Sequence, residues 1–253
     1  MARQDCPICH GTGFRIVVKE ELSGAERCEC QIADRTRVNE EQARIPPLYR
    51  NASLENFALP RDNPIAERGL REVMGKVKGF TREFPTEKTP GLMLMGAPGS
   101  GKTHLAVAAL RRLIDRGFEG IFFDYQNLLD RIRAGFNQAA GAADKEAYRD
   151  ALDAEVLLLD DLGAHRVTDW VEDTVTSIIT YRCNNRKPTM VTTNLIDLST
   201  GPGPRPASPG GRVDYRDTLE DRIGSRARSR LFEMCRVVRM PLVDDFRMRK
   251  PAQ

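Results

Sequence analysis

With 253 residues, 40% of them hydrophobic and 30% charged, the chain suits one large domain plus a small appendage and is not compositionally disordered. Its 39 Lys and Arg against 36 Asp and Glu leave a net charge of only +3, which excludes a uniformly basic protein that coats nucleic acid. No apolar run approaches the ~18 residues of a membrane span, and the amino end MARQDCPICHG lacks the apolar centre of a secretory signal, so a cytoplasmic setting with reduced thiols is expected.

Residues 1–32 form a cysteine-bearing unit in which Cys6, Cys9, Cys28 and Cys30 are spaced C-x2-C-x18-C-x-C. Four thiolates in two close pairs can close a tetrahedral Zn²⁺ site with Zn–S bonds of about 2.3 Å, leaving no open position for catalysis. So short a unit lacks the core to fold without a staple, so the expected role is structural, with free thiols or a redox pair as alternatives and His10 as a bystander. Cys183 and Cys235 stand alone and are expected to be small buried apolar residues. Residues 33–60 read as a linker or helical lead-in, the polar stretch from Gln31 to Arg44 ending at Pro46-Pro47.

Residues 61–253 make the main domain. Strands are expected over 91–95, 120–123, 155–159, 188–193 and 237–240. Between them come helices over Lys102–Arg116, Asn127–Phe136, an Asp/Ala-rich stretch before residue 155, Trp170–Arg186 and the basic segment Arg222–Cys235. Leu105, Ala109, Leu113 and Ala106, Leu110, Ile114 recur every four residues, giving the first of these helices an apolar face. Strands separated by helices of this length imply a parallel five-stranded sheet between helices. Four Gly and four Pro within residues 201–211 exclude a regular element there and read as a surface loop.

Gly96-Ala97-Pro98-Gly99-Ser100-Gly101-Lys102-Thr103, with His104 following, fits G-x-x-x-x-G-K-[ST] between an apolar strand and an amphipathic helix. The glycines let backbone N–H groups wrap a phosphate chain, the helix adds the positive end of its dipole, Lys102 reaches the β- and γ-phosphates, and the Thr103 hydroxyl suits Mg²⁺. Asp160 and Asp161 emerge where a buried strand ends, the place at which ligands of open α/β sheets collect. Asp160 is placed to hold Mg²⁺ and Asp161 to polarise an attacking water. Asn194, after Thr192-Thr193, either hydrogen-bonds the γ-phosphate or its water, or caps a turn. From Arg222 onward nine Lys or Arg face three acids, and Arg222, Arg226 and Arg230 repeat at spacing four. That face is either solvated or supplies an arginine finger to a neighbouring subunit.

In this order GAPGSGKT, VLLLDDLG, TTN and RSRLFEMC resemble the AAA+ ATPases of the DnaC/DnaI helicase-loader and IstB transposition-helper family. The lead-in YRNASLENF and the last strand RVVRM fit the same pattern, so the resemblance spans roughly residues 46–250. It implies an AAA+ P-loop NTPase core that binds and hydrolyses ATP with Mg²⁺. Lys102 and Thr103 would be Walker A residues, Asp160 and Asp161 the Walker B pair and Asn194 sensor 1. Arg230 would be the arginine finger, with Arg226 and then Arg228 as alternatives. Asp161 stands where many AAA+ proteins carry Glu, and its shorter reach suggests slow turnover.

An amino-terminal zinc module resembles DnaI-type loaders and implies a replicative helicase as partner. Self-association would then complete the site, and single-stranded DNA would lie along Arg131, Arg133 and Phe136; for Phe136, core packing is the plainer expectation. The alternatives are an IstB-like helper acting on duplex DNA and a small-molecule kinase, the latter disfavoured because no acceptor-binding lid is legible.

Overall fold

The computed structural model describes residues 5–19, 22–28, 38–60, 62–135, 142–165, 167–197 and 218–248. Cys30, Phe136 and the Gly/Pro stretch at 201–211 lie outside the described residues.

An antiparallel hairpin, β1 (Phe14–Lys19) with β2 (Leu22–Arg27), joins the two ends of the cysteine unit; the sequence pattern had not singled it out. Residues 38–42 are helical, as expected of the lead-in. Next comes α1 (Pro64–Glu83), a twenty-residue helix that the strand–helix pattern had also passed over. Its start was legible: Asn63 accepts the Ala66 N–H at 3.0 Å and Pro64 occupies the first turn, where its missing N–H costs nothing. Leu70, Val73, Val77 and Phe80 bury one face.

The main domain then alternates as expected. The elements are β3 (Gly91–Met95), α2 (Lys102–Asp115), β4 (Gly120–Asp124), α3 (Tyr125–Gly135), α4 (Ala142–Asp153), β5 (Val156–Asp160), α5 (Asp169–Asn184), β6 (Thr189–Thr193), α6 (Leu219–Met234) and β7 (Cys235–Arg239). The five strands from β3 onward are parallel in the order β4-β5-β6-β3-β7. From β3 the chain runs to the far edge, returns through β5 and β6, and ends on the other side of β3. The crevice at the carboxyl end of β3 therefore lies at the switch in strand order.

Side chains alternate across this sheet, so each buried strand feeds two cores. Leu92, Leu94, Val156 and Leu158 pack with α1 and α2. Met93, Met95, Leu157 and Leu159 pack with α3, α5 and α6. Both predicted apolar rows of α2 are buried. Cys235 is buried as expected, whereas Cys183 is only partly so.

The basic helix departs from expectation. It starts earlier, at a Thr218–Asp221 capping box, and is broken at Gly224 by φ 77° and ψ 157°. The left-handed φ at Gly224 is the reason for glycine there; a Cβ would also meet the Glu172 side chain, 2.3 Å from Oε1, which could swing away. The break separates Arg222 from Arg226 and Arg230, and the expected three-arginine face is not continuous. Arg222 instead donates to the His165 carbonyl at 3.3 Å.

Arg182 is fully buried in α5 and ties α4 to the strands. Its guanidinium donates to the carbonyls of Ala151, Leu152 and Ala154 at 3.1, 3.1 and 2.9 Å, to Thr189 Oγ1 at 2.9 Å and to the Pro188 carbonyl at 2.5 Å. Burial pulls its pKa down to about 9, and Asp153 opposes the shift, so it remains charged at neutral pH. Arg182→Ala strands these acceptors without donors. It is expected to cost on the order of 3 kcal/mol in a urea unfolding experiment, far more than loss of an exposed arginine.

Candidate nucleotide-binding site

The carboxyl ends of β3, β4, β5 and β6 open into a cavity of about 520 Å³. At its floor the chain turns from β3 into α2 through residues 96–101. Gly99 (φ 70°) and Gly101 (φ 92°) are left-handed, which suits residues without a Cβ. Contact adds a second reason: a Cβ on Gly101 would lie 2.5 Å from the Phe57 ring. Gly101 caps α2, so the first N–H groups of the helix and its positive dipole end face this loop, an arrangement that suits an anion.

Lys102 is 6% exposed and donates to the Ala97 carbonyl at 2.8 Å, while Ser100 Oγ donates to the same oxygen at 2.7 Å. Burial lowers the Lys102 pKa to about 8, against the opposing pull of Asp161 and Asp160. Thr103 Oγ1 lies 2.9 and 3.2 Å from the two oxygens of Asp160. Thr192 Oγ1 donates to Asp160 Oδ1 at 2.6 Å and accepts the Asp161 N–H at 2.9 Å. Asp160 is 8% exposed, and its pKa is raised chiefly by burial, with the hydrogen bonds from Thr192 and Thr103 opposing. Asp161, at φ 56°, is also raised by burial, with Lys102 opposing.

Asn194 donates through Nδ2 to Asp161 Oδ1 at 2.5 Å. This contact is neither of the two roles the sequence offered for Asn194, a phosphate or water contact and a turn cap. His104 lines the cavity, yet its ring turns toward the lead-in, with Nε2 2.9 Å from the Ser53 carbonyl and the ring edge-on to Phe57 at 5.3 Å. Because a carbonyl only accepts, Nε2 carries the proton.

Several lining residues escaped the sequence reading. Asp124 ends β4 in register with Asp160, and its charge raises both Asp160 and Asp161. It carries the same strand-end signal that singled out Asp160. Tyr49 and Phe57 come from the lead-in, and Arg247 from the short 3-10 turn Phe246–Met248 beyond β7, where no periodicity marks them.

The remaining predicted residues lie elsewhere. The Cys6, Cys9 and Cys28 sulfurs are buried within 4.8 Å of one another, with Cys6 and Cys28 3.6 Å apart, a soft donor set that suits zinc. Arg230 is half-exposed and pairs with Glu233 at 2.7 Å. Arg226 is exposed. Arg228 is held within the chain by buried Asp197 and by the Phe232 ring at 5.0 Å. Arg131 lies over Phe123 at 5.8 Å and Arg133 over Trp170 at 4.6 Å. Among the described residues no helix is long and apolar enough to cross a membrane.

The family model described as IstB-like ATP binding protein matches residues 27–198. The chain belongs to this family. YqaM of Bacillus subtilis (strain 168), itself uncharacterized, is 34% identical over 168 residues, 64% of this chain and 43% of that protein. The replicative helicase loader DnaC of Escherichia coli (strain K12) is 23% identical over 150 residues, 59% of this chain and 58% of that protein. The chain thus spans about half the length of these curated relatives. The crystal structure of the DnaC helicase loader superposes with a TM-score of 0.61 at 30% identity, covering 78% of this chain and all of that one. The expected kinship with DnaC- and IstB-type AAA+ proteins is borne out at family level, and the parallel five-stranded sheet between helices matches the expected P-loop core.

The Lys102 pKa fixes a pH signature for nucleotide binding. A phosphate chain beside the amine favours its charged form, so binding above pH 8 takes up a proton and affinity falls as pH rises through about 8. Titrations of ATP between pH 7 and 9.5 are expected to show this fall. Calorimetry in buffers of different ionisation heat reads the proton directly.

Proposed function

We propose that this chain is an ATP-dependent helicase loader. In this reading it binds and slowly hydrolyses ATP, contacts single-stranded DNA and grips a replicative helicase in the cytoplasm. The observation that carries it is the convergence of Lys102, Thr103, Asp160, Asp161 and Asn194 on one cavity, in a chain that shares 30% identity with the whole of the DnaC loader structure.

The N–H groups of residues 99–104 and the Lys102 amine would hold the β- and γ-phosphates, with Arg247 as a second cation at the mouth. Thr103 and Asp160 would hold Mg²⁺, which when bound neutralises charge building on the phosphate oxygens. Asp161, held by Asn194, would orient and deprotonate the attacking water. The apolar wall of Phe57, Pro60, Leu70 and Val243 would take the base. Arg230 of an adjoining copy, with Arg226 as the alternative, would complete the phosphate charge; Arg228 is ill placed, being committed to Asp197.

In this reading residues 1–32 are a zinc module that meets the helicase, 33–60 a lead-in and 61–253 the AAA+ domain, with Cys30 the fourth zinc ligand beside Cys6, Cys9 and Cys28. DNA would run along Arg131 and Arg133, which lie over the Phe123 and Trp170 rings. A duplex-acting transposition helper is the second reading, favoured by the description of the matched family.

Asp161→Asn is expected to cut hydrolysis at least about 100-fold while nucleotide affinity stays within a few-fold. Wild-type turnover is expected to rise when copies crowd onto single strands, and the cognate helicase to co-purify with Mg-ATP. Stronger stimulation by duplex, with no helicase complex in any nucleotide state, would decide for the transposition helper.

A further inference from the structure

The chain does not leave the domain after its last strand. Met240 N–H donates to the Met95 carbonyl at 2.8 Å, and Val243 packs on the core shared with α1 and α2. Phe246 N–H then donates to the Gly99 carbonyl at 3.1 Å. Residues 241–248 thus form a strap that touches the phosphate loop itself.

The tightest point of this contact is a carboxylate. A Cβ on Gly99 would lie 1.9 Å from Asp245 Oδ1, so the loop and Asp245 meet with no room for a side chain between them. Asp245 in turn grips the residue two places on. Oδ1 accepts the Arg247 N–H at 2.9 Å and Nε at 3.0 Å, and Oδ2 accepts the terminal guanidinium nitrogen at 2.9 Å. This fork-to-fork pairing fixes the plane of the guanidinium as well as its position. Arg247 lines the nucleotide cavity, and its charge acts on Asp161 and Tyr49 across that cavity.

Arg247 is otherwise an exposed, long side chain in a single 3-10 turn, Phe246–Met248, and would lose considerable rotamer freedom on meeting a ligand. Asp245 removes part of that loss in advance.

We propose that Asp245 is a positioning residue for the nucleotide: anchored on Gly99, it aims Arg247 at the terminal phosphate and so biases the site toward nucleoside triphosphate over diphosphate. The terminal phosphate is the target because Arg247 lines the same cavity as Lys102, which would reach the γ-phosphate, and Asp161, which would hold the attacking water. This rests on the nucleotide-binding reading above and extends it to a residue that touches no nucleotide.

Aiming one side chain in advance is worth about three- to tenfold in affinity. Asp245→Asn, which keeps size and loses the charged fork, is therefore expected to weaken ATP binding three- to tenfold and ADP binding less than twofold, with an unchanged melting temperature. Exchanging the pair, Asp245→Arg with Arg247→Asp, restores an ion pair without a cation at that place, so it is expected to remain as weak for ATP as D245N. If D245N melts early, Asp245→Glu keeps the charge and displaces the fork by one methylene; the same ATP-selective loss is expected in smaller measure.

ATP affinity equal to wild type in D245N and D245E would overturn the proposal. So would equal losses for ATP and ADP, or recovery in the exchanged pair, since either reports a merely structural link. Tighter binding of both nucleotides in D245N would also overturn it, by making Asp245 a repelling charge beside Lys102. A wild-type protein that binds neither nucleotide would instead defeat the nucleotide-binding reading itself.

Discussion

Asp160 is a carboxylate placed where water scarcely reaches. Taking an ionised carboxylate out of water costs several kcal/mol unless hydrogen bonds replace its solvent. Two hydroxyls do so here: Thr103 at the start of α2 and Thr192 near the end of β6. Three separate elements therefore meet at one charged group. Thr192 also accepts the Asp161 N–H, and Asn194 holds the Asp161 side chain, so both acids are oriented from the neighbouring strand. Burial raises the proton affinity of both, and a carboxylate so disfavoured as a bare charge gains most from an adjacent cation.

Around this centre the cavity is closed by loops and short 3-10 turns on either side of the strand–helix core. The lead-in is pinned to α2 by Arg111 on the Ala52 carbonyl, by His104 against the Ser53 carbonyl and by an Arg112–Glu55 ion pair. Phe57 then fits against Gly101 with no room for a Cβ between them. On the opposite side the strap fits against Gly99 in the same manner. Two glycines of the loop thus do more than allow a turn: each leaves a gap that a distant segment fills. Loops of this kind carry binding groups while the sheet carries the rigidity.

The arginine-rich helix shows how local geometry sorts charges that look equivalent in sequence. Gly224 breaks the helix where Glu172 comes close, and this sends Arg222 to the His165 carbonyl. Arg228 is neutralised by Asp197, whose side chain is almost wholly buried. Arg230 is half-exposed, paired with exposed Glu233 three residues on and also hydrogen-bonded to Cys183, and such a surface ion pair is worth little in water. An assembly built on this face would draw on Arg226 and Arg230.

The strand–helix alternation, the phosphate loop, the two acids and the two cysteine pairs were legible because each is written in local spacing: period two, period four, or a short motif. Asn194 was visible as a polar strand end, but its partner was not, since Asp161 is 33 residues away in sequence. The hairpin of the cysteine unit and helix α1 lie outside the strand–helix alternation, α1 standing before the first strand of the five-stranded sheet, so only its Asn63-Pro64 start marks it locally. The break at Gly224 lies beside Glu172 of another helix, and no window of sequence contains that contact. Asp124 is brought to the site by the strand order β4-β5-β6-β3-β7, Phe57 by the contacts of the lead-in with α2, and the Asp245–Arg247 fork by the hydrogen bond of Phe246 to Gly99. The amino-acid sequence by itself determined which chemical groups this protein carries and the regular elements that bear most of them. Tertiary structure alone decided which charges face one another, because burial and distance set electrostatic energy and neither is a property of neighbours along the chain.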